Sequence, residues 1–279
     1  MKMLILLVAL FFAAGSAAGE NASLSDRETF DSADWHWREI GRRAQVGYAQ
    51  LPIFGSMQSI SVIRYKSSRY HTDVINDPAG DAATTSKMSS RHKAIAAVNG
   101  SYFSGSLEPV TFIKEDGVIE GNTPDKESRR VNGVVAIRGR RVDIFRCSAD
   151  EYALRTRRYS DVMAAGPLLL IDGAETVSGL PETGFYAKRH PRTIVGTTAD
   201  GWVYFIVADG RFPGQADGLT IAEAATLAGM FGLNDAINLD GGGSSALWTE
   251  AYGVESYPCD NKRFEHNGER KIPNVLIIR

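Results

Sequence analysis

Residues 238–245 read Asn238-Leu239-Asp240-Gly241-Gly242-Gly243-Ser244-Ser245, so a carboxylate, three glycines and two hydroxyls follow an apolar strand pattern. Glycine tolerates positive φ and lets a ligand approach the main chain closely. Successive N–H groups in such a turn can form a concave nest that suits an anion. A simple hairpin turn is the alternative, because Asp-Gly is a common hairpin signal. An acid beside an anion nest predicts a site that acts on a charged group.

The chain as a whole has the composition of an ordinary globular protein. It has 279 residues, of which 43% are hydrophobic and 23% are charged, and its net charge is -2. This length allows one large domain or two small ones. The arginine-rich stretch 155–158 is short and is balanced by acids elsewhere, so we expect no nucleic-acid partner.

The first 18 residues have the pattern of a secretory signal peptide. Lys2 precedes an apolar run over residues 3–14, and Ser16-Ala17-Ala18 supplies small residues for cleavage. An uncleaved membrane anchor is the alternative. We expect cleavage near Gly19, export to the periplasm or the extracellular space, and no membrane span after processing.

Export affects the interpretation of the two cysteines. Cys147 and Cys259 are the only cysteines of the chain, and an oxidising compartment permits a disulfide between them. Two buried free thiols are the alternative. We take the bond as a hypothesis.

The remaining sequence predicts one domain in which strands predominate. Residues 19–58 form a polar, weakly patterned lead-in, and residues 59–279 form the main domain. Residues 110–119 and 133–145 each read as a hairpin, and residues 168–171 and 202–208 are apolar runs typical of strands inside a sheet. We therefore expect an α+β fold, with a mixed, mainly antiparallel sheet and a few packed helices.

The clearest helix begins after Thr220. Glu223 stands at the third helical position, so the two residues predict a capping box. Apolar residues then repeat at helical spacing until Gly232, which is a common helix terminator. The capping box explains Glu223, and a role as an acid catalyst is the alternative.

Polar or glycine-bearing segments adjoin several predicted strands, where a rigid scaffold often holds site residues. They are Asn99-Gly100-Ser101-Tyr102-Phe103, Asp209-Gly210-Arg211, the Asp240 segment, His190-Pro191-Arg192-Thr193 and Gly268-Glu269-Arg270. Turns and surface ion pairs are the alternatives for each. The chain lacks the paired histidine spacing of a zinc site, a phosphate-binding P-loop and a nucleophile elbow.

Taken in order, these motifs resemble the phosphodiester glycosidase domain family, from about Ala94 to the C-terminus. The matching motifs are Asn-Gly-x-x-Phe, His-Pro-Arg-Thr, Asp-Gly-Arg, Gly-Leu-Thr-x-x-Glu, Asn-Leu-Asp-Gly-Gly-Gly-Ser-Ser and Gly-Glu-Arg. The chain departs from the family pattern at Ser101-Tyr102 and at Lys271-Ile272-Pro273. The Asp240 segment is the most specific of the motifs.

The resemblance implies an exported hydrolase that cleaves the anomeric C–O bond of a sugar-1-phosphate diester. The partner would be a sugar phosphate or a glycan that contains phosphodiesters. Asp240 would face the anomeric carbon, with Asp209 or Glu269 as a second carboxylate. The expected substrate- and phosphate-binding residues are Asn99, Gly100, Arg192, Arg211, Gly241, Gly242, Gly243, Ser244, Ser245 and Arg270.

Two other functions stay open from the sequence. One is a phosphodiesterase that cleaves the P–O bond with a divalent cation held by Asp209 and Asp240. The other is a carbohydrate- or cell-wall-binding module without catalysis. The glycosidase itself is expected to need no cofactor and no metal.

Overall fold

A computed structural model of the protein describes residues 25–77, 79–124 and 130–279. The predicted signal peptide, residues 1–18, lies outside this part of the chain. Among the described residues, no helix is both long enough and apolar enough to cross a membrane.

The described residues form eighteen strands and five α-helices. The strands are β1 (His36–Gly41), β2 (Ala44–Ile53), β3 (Ser56–Lys66), β4 (Thr72–Asn76), β5 (Ala96–Asn99), β6 (Ile113–Glu115), β7 (Val118–Gly121), β8 (Gly133–Arg138), β9 (Arg141–Arg146), β10 (Asp161–Ala165), β11 (Leu168–Ile171), β12 (Ala174–Glu175), β13 (Arg192–Thr197), β14 (Trp202–Ala208), β15 (Asp235–Asn238), β16 (Leu247–Thr249), β17 (Gly253–Val254) and β18 (Asn274–Ile278). The helices are α1 (Asp26–Asp31), α2 (Thr85–Arg91), α3 (Tyr152–Arg155), α4 (Gly184–Ala187) and α5 (Ile221–Met230).

These strands form three sheets. The largest has eight strands in the order β1-β2-β3-β14-β13-β15-β11-β12. The second has the order β7-β6-β10-β8-β9, and the third β17-β16-β5-β18-β4. The pairings within them are antiparallel throughout the described residues. The α+β class is confirmed, but the predicted single mixed sheet is corrected to three antiparallel ones.

The large sheet is buried on both faces, which explains its continuous apolar strands. Along β14, Val203, Phe205 and Val207 face the main core, where the sheets meet. The alternate residues Tyr204, Ile206 and Ala208 face a second core beneath α5. Because side chains alternate along a strand, a strand covered on both faces loses its polar alternation.

Helix α5 closes the outer face of this sheet as predicted. The Thr220 hydroxyl accepts a bond from the Glu223 N–H, and the Glu223 carboxylate accepts one from the Thr220 N–H, so the capping box is confirmed. Ile221 and Leu227 are fully buried, and each contributes roughly 1.5–3 kcal/mol by its burial.

Residues 25–58 of the predicted lead-in are part of the large sheet. They form α1, β1, β2 and the start of β3, and β2 pairs with β3 over ten residue pairs. Trp35 and Trp37 pack against the second core rather than standing free. The sequence did not predict that these residues join the large sheet, because the side chains of β1 are exposed or partly exposed and carry little apolar pattern.

Both cysteines are free and buried. Cys147 belongs to the hydrophobic cluster around Tyr152, and Cys259 to a separate cluster with Phe212. The hypothesis of a disulfide between them is therefore wrong, because their side chains lie in separate parts of the core.

Candidate active site

The candidate site lies where strands from all three sheets end. β15 of the large sheet leads into Asp240, β5 of the third sheet leads into Asn99, and β10 of the second leads into Gly166. Asn99 donates from Nδ2 to the carbonyl of Asp240 at 2.8 Å. The Tyr102 hydroxyl donates to the carbonyl of Gly166, as does Asn238 Nδ2 at 3.0 Å. These bonds hold the three strand ends together around Asp240.

The Asp240 carboxylate is half-buried and lightly bonded. Its Oδ1 accepts the N–H of Gly241 at 2.9 Å. Burial raises the pKa of Asp240 to about 6, while that N–H, the nearby Ser244 hydroxyl and the charges of Arg270 and Arg130 oppose the rise. The Ser244 hydroxyl is close to the carboxylate but outside hydrogen-bond geometry, and it has no partner among the described residues. Ser244 is buried, with 2% of its surface exposed, whereas Asp240 is partly exposed, so the carboxylate is the group of this pair that is open to a substrate.

Two exposed arginines act on the Asp240 carboxylate. Arg270 holds Asp260 with two bonds of 2.8 Å, and its charge reaches Asp240. Arg130 lies near the same carboxylate, and its guanidinium sits 5.0 Å from the centre of the Phe185 ring. Sequence reasoning missed Arg130, because it lies in no motif and reaches the site from a loop before β8.

The glycines after Asp240 make room for arginines. A Cβ on Gly243 would lie 2.2 Å from Nη2 of Arg270, and a Cβ on Gly242 would lie 2.9 Å from Nη2 of Arg211. Gly242 also has a φ of +63°, a region that favours glycine.

The predicted nest of main-chain N–H groups at this turn is largely occupied. Gly241 N–H bonds the Asp240 carboxylate, Gly242 N–H bonds the carbonyl of Pro191, and Ser244 and Ser245 N–H bond within the turn. The protein therefore already uses these four N–H groups, and binding of an anion by this turn stays a prediction.

The predicted polar residues Asn99 and Ser245 form a buried network beneath the site. Thr193 donates from Oγ1 to Asn99 Oδ1 at 2.7 Å and also lies 3.1 Å from Ser245 Oγ. Gly100 packs so closely that a Cβ there would lie 2.1 Å from Oδ1 of Asn274. These residues, grouped by the sequence motifs as substrate-binding, are buried and support the strand ends.

Asp209 lies at the same edge of the large sheet but is buried, with 1% of its surface exposed. One carboxylate oxygen accepts the Ser59 hydroxyl at 2.7 Å, and the other accepts the Tyr257 N–H at 2.8 Å. Burial raises the pKa of Asp209 to about 7. The structure therefore gives this predicted second carboxylate no open oxygen.

Glu269, the other predicted second carboxylate, bonds to the start of α2. Its oxygens accept the N–H of Ser86 at 2.9 Å and the Ser86 hydroxyl. Burial raises its pKa, and these bonds oppose the rise. A carboxylate at a helix N-terminus satisfies otherwise unpaired N–H groups, so Glu269 has a structural explanation.

Arg192 is also structural, in contrast to the expected phosphate contact. Only 1% of it is exposed, and it donates to the carbonyls of Leu219, Phe185 and Lys188 at 2.6–3.0 Å. Burial lowers the pKa of Arg192 to about 10. Its bonds fix the segment around α4, and they leave it unable to meet a phosphate in this conformation.

Arg211 stays accessible, and it has a φ of +68°. Its guanidinium lies over Gly242 and donates to the Cys259 sulfur at 3.5 Å. Arg211 at Gly242 and Arg270 at Gly243 bring two positive charges to the glycine turn, and the charge of Arg130 acts on Asp240. Such forks match the paired oxygens of a phosphate.

The described residues include no group of three or more His, Cys, Asp or Glu side chains able to hold a metal ion. A cation held by Asp209 and Asp240 would compete with the two hydrogen bonds that Asp209 already accepts.

The family model for phosphodiester glycosidase matches residues 92–279. No curated protein matches the chain in sequence.

Three solved structures have a similar fold. The catalytic domain of zebrafish N-acetylglucosamine-1-phosphodiester alpha-N-acetylglucosaminidase, auto-inhibited by its pro-peptide, is 19% identical, with a TM-score of 0.68 over 92% of this chain and 94% of that one. A hypothetical protein from Synechocystis is 11% identical, with a TM-score of 0.69 over 89% of this chain and 64% of that one. A Burkholderia pseudomallei protein classed as exported is 17% identical, with a TM-score of 0.59 over 81% of this chain and 74% of that one.

These likenesses establish the fold, and the family match covers well over half of the chain, including the Asp240 segment, Arg130 and Arg270. The chain belongs to the phosphodiester glycosidase family.

Proposed function

We propose that the protein hydrolyses the anomeric C–O bond of a sugar-1-phosphate diester and releases a phosphomonoester. The observation that carries this proposal is the half-buried Asp240 carboxylate beside the exposed Arg130 and Arg270. An anionic carboxylate suits the positive charge that develops on the sugar ring, and the arginines suit the phosphate. Family membership supports the same substrate class.

One reactive carboxylate is sufficient for this bond. A phosphate monoester is a good leaving group, so the site needs little acid assistance. We assign Asp240 as the nucleophile, or as the base for the attacking water, and Arg130, Arg211 and Arg270 as the phosphate-binding group. We assign neither Asp209 nor Glu269 as a general acid, because both carboxylate oxygens of each residue already accept hydrogen bonds.

Hydrolysis in water labelled with oxygen-18 tests which bond breaks. If water or Asp240 attacks the anomeric carbon, mass spectrometry finds no label in the released phosphomonoester. Label in that product would mean P–O cleavage and would favour a phosphodiesterase; loss of activity in a chelator would then identify a metal-assisted one. Binding without turnover over a panel of sugar-1-phosphate diesters would indicate a binding module.

We also propose that the protein is exported. Residues 1–18 support this by their signal-peptide pattern, and one protein of similar fold is classed as exported. Intact-mass analysis of secreted protein should give a chain beginning near Gly19; a chain that keeps Met1 in the membrane fraction would contradict this.

A further inference from the structure

A basic cleft lies on the second sheet, outside the candidate active site. It has a volume of about 470 Å³, and we call it the arginine cleft. Its principal lining residues are Arg138, Phe145, Arg155, Arg157, Arg158 and Tyr159.

The cleft concentrates positive charge in a chain that is slightly acidic overall. Residues 138–158 contain seven arginines, no lysine and three acidic residues, whereas the whole chain has a net charge of -2. Within the described part of the chain, Arg138, Arg157 and Arg158 form no ion pair. Arginines without a carboxylate partner keep their N–H donors available for an anion.

Two aromatic rings support the guanidinium groups. Arg155 lies 5.0 Å from the centre of the Phe145 ring, and Arg138 lies 5.9 Å from that of Tyr159. Stacking of this kind orients the planar arginine fork.

The second sheet connects the arginine cleft to the Asp240 site. Gly133, at one end of β8, pairs with Ala165, which adjoins the Gly166 carbonyl of the site. Arg138, at the other end of β8, lines the cleft. Five residue steps of a strand span about 17 Å, so one extended ligand would have to cover several sugar units to reach both places.

We propose that the arginine cleft is a second phosphate-binding site, which holds a linear glycan with repeated phosphodiester groups while one of its diesters occupies the Asp240 site. The proposal rests on the proposed function. The arginines of the cleft favour a glycan that carries phosphate over a neutral sugar, because the guanidinium fork pairs with phosphate oxygens. The net charge of -2 and the sugar-1-phosphate diester proposed for the Asp240 site favour a glycan over a single-stranded nucleic acid.

The test compares binding of two probes by the Asp240→Asn variant, which separates binding from turnover. The first probe is a six-unit oligosaccharide joined by C1-to-C6 phosphodiesters, and the second is the methyl diester of the same sugar 1-phosphate. Arg157→Ser/Arg158→Ser removes two exposed charges from the cleft, and Arg157→Lys/Arg158→Lys keeps the charges without the forks. Arg27→Ser/Arg42→Ser is the charge-matched control, because these two arginines lie in α1 and the β1–β2 turn and do not line the cleft.

We expect the serine pair to weaken binding of the six-unit probe about tenfold and the lysine pair to weaken it less. Binding of the single diester, and its hydrolysis when Asp240 is intact, should stay within about twofold of the parent protein in both pairs. Equal loss in the Arg27/Arg42 control, or no loss in the serine pair, would overturn the proposal. Tighter binding of single-stranded DNA with the same number of phosphates would also overturn it.

Failure of the proposed function would look different. If the intact protein does not hydrolyse the single diester, the proposed function fails whatever the cleft binds. If it does hydrolyse the diester but the cleft variants bind the six-unit probe normally, only the cleft proposal fails.

Discussion

At the scale of single residues, the proposed chemistry depends on the carboxyl group of Asp240. Burial raises its pKa to about 6, so the reactive carboxylate form is lost as the pH falls through that value. We expect kcat/KM to fall on the acidic side of a pH profile with an apparent pKa near 6. Asp240→Asn should lower kcat by several orders of magnitude, since an amide neither attacks nor stabilises positive charge at the ring. A variant that keeps more than about a tenth of the activity would contradict the assigned role.

The pKa of Asp209 leads to a prediction about how stability depends on pH. Its folded pKa of about 7 lies above the unfolded value, so the native state binds the extra proton and stability decreases as the pH rises from about 4 to 7. Asp209→Asn should remove this dependence and raise the free energy of unfolding at pH 8 by about 1–2 kcal/mol.

Urea unfolding at pH 5 and pH 8 measures this effect. The same variant should keep substantial activity, because Asp209 has no oxygen open to a substrate. Loss of activity as complete as that of Asp240→Asn, in a folded protein, would restore Asp209 as the second carboxylate.

At the scale of elements, the glycine turn should control the position of Arg270. Gly243→Ala would put a Cβ 2.0 Å from Asp260 Oδ1 and 2.2 Å from Arg270 Nη2. Both are the ends of flexible, partly exposed side chains, so we expect them to move at a cost within about 1 kcal/mol of stability. Displacing Arg270 should raise KM for a sugar-1-phosphate diester about tenfold.

Gly232→Ala, at the end of α5, is the control for backbone strain alone. Its φ of +70° makes any side chain strained and a Cβ there meets no atom within 4 Å, so this variant should lose about 1–2 kcal/mol of stability and keep its KM. Steady-state kinetics and thermal unfolding of both variants separate the two effects. An unchanged KM in Gly243→Ala would remove Arg270 from the phosphate-binding group.

The start of α5 is supported by more than its capping box. Arg189 contacts the Glu223 carboxylate at 3.1–3.2 Å through Nε, an interaction that the sequence pattern does not reveal. Glu223→Gln can still close the capping box but loses this ion pair, so it should cost about 1–2 kcal/mol. A double-mutant cycle with Arg189→Gln, followed by urea unfolding, measures the coupling; a value near zero would contradict it.

Several elements could be predicted because their signals are local. The capping box at Thr220 and the turns Asp116-Gly117 and Gly139-Arg140 depend on residues only a few positions apart. The contribution of β1 and β2 to the large sheet could not be predicted from such signals. It depends on pairing with β3, and β3 in turn pairs with β14, more than a hundred residues later.

For the molecule as a whole, the reactivity of the two thiols tests whether they lie in separate parts of the core. Cys147 and Cys259 lie in separate hydrophobic clusters, and burial raises the pKa of both. We expect a thiol reagent to modify neither in the folded protein and both after unfolding. The unfolding temperature should be the same with and without a reductant. Peptide mapping that finds the two cysteines joined would contradict the structure.

The sequence by itself determined the α+β class, the helix over residues 221–230, the family resemblance and the importance of the Asp240 segment. These follow from periodicity, from caps and from motif order, which are properties of neighbouring residues. Only the tertiary structure decided that Asp209, Glu269 and Arg192 are engaged elsewhere and that Arg130 joins Arg270 beside Asp240. A charged residue next to a strand has the same local sequence whether it faces solvent or buried donors, and its environment is set by distant strands that pack around it.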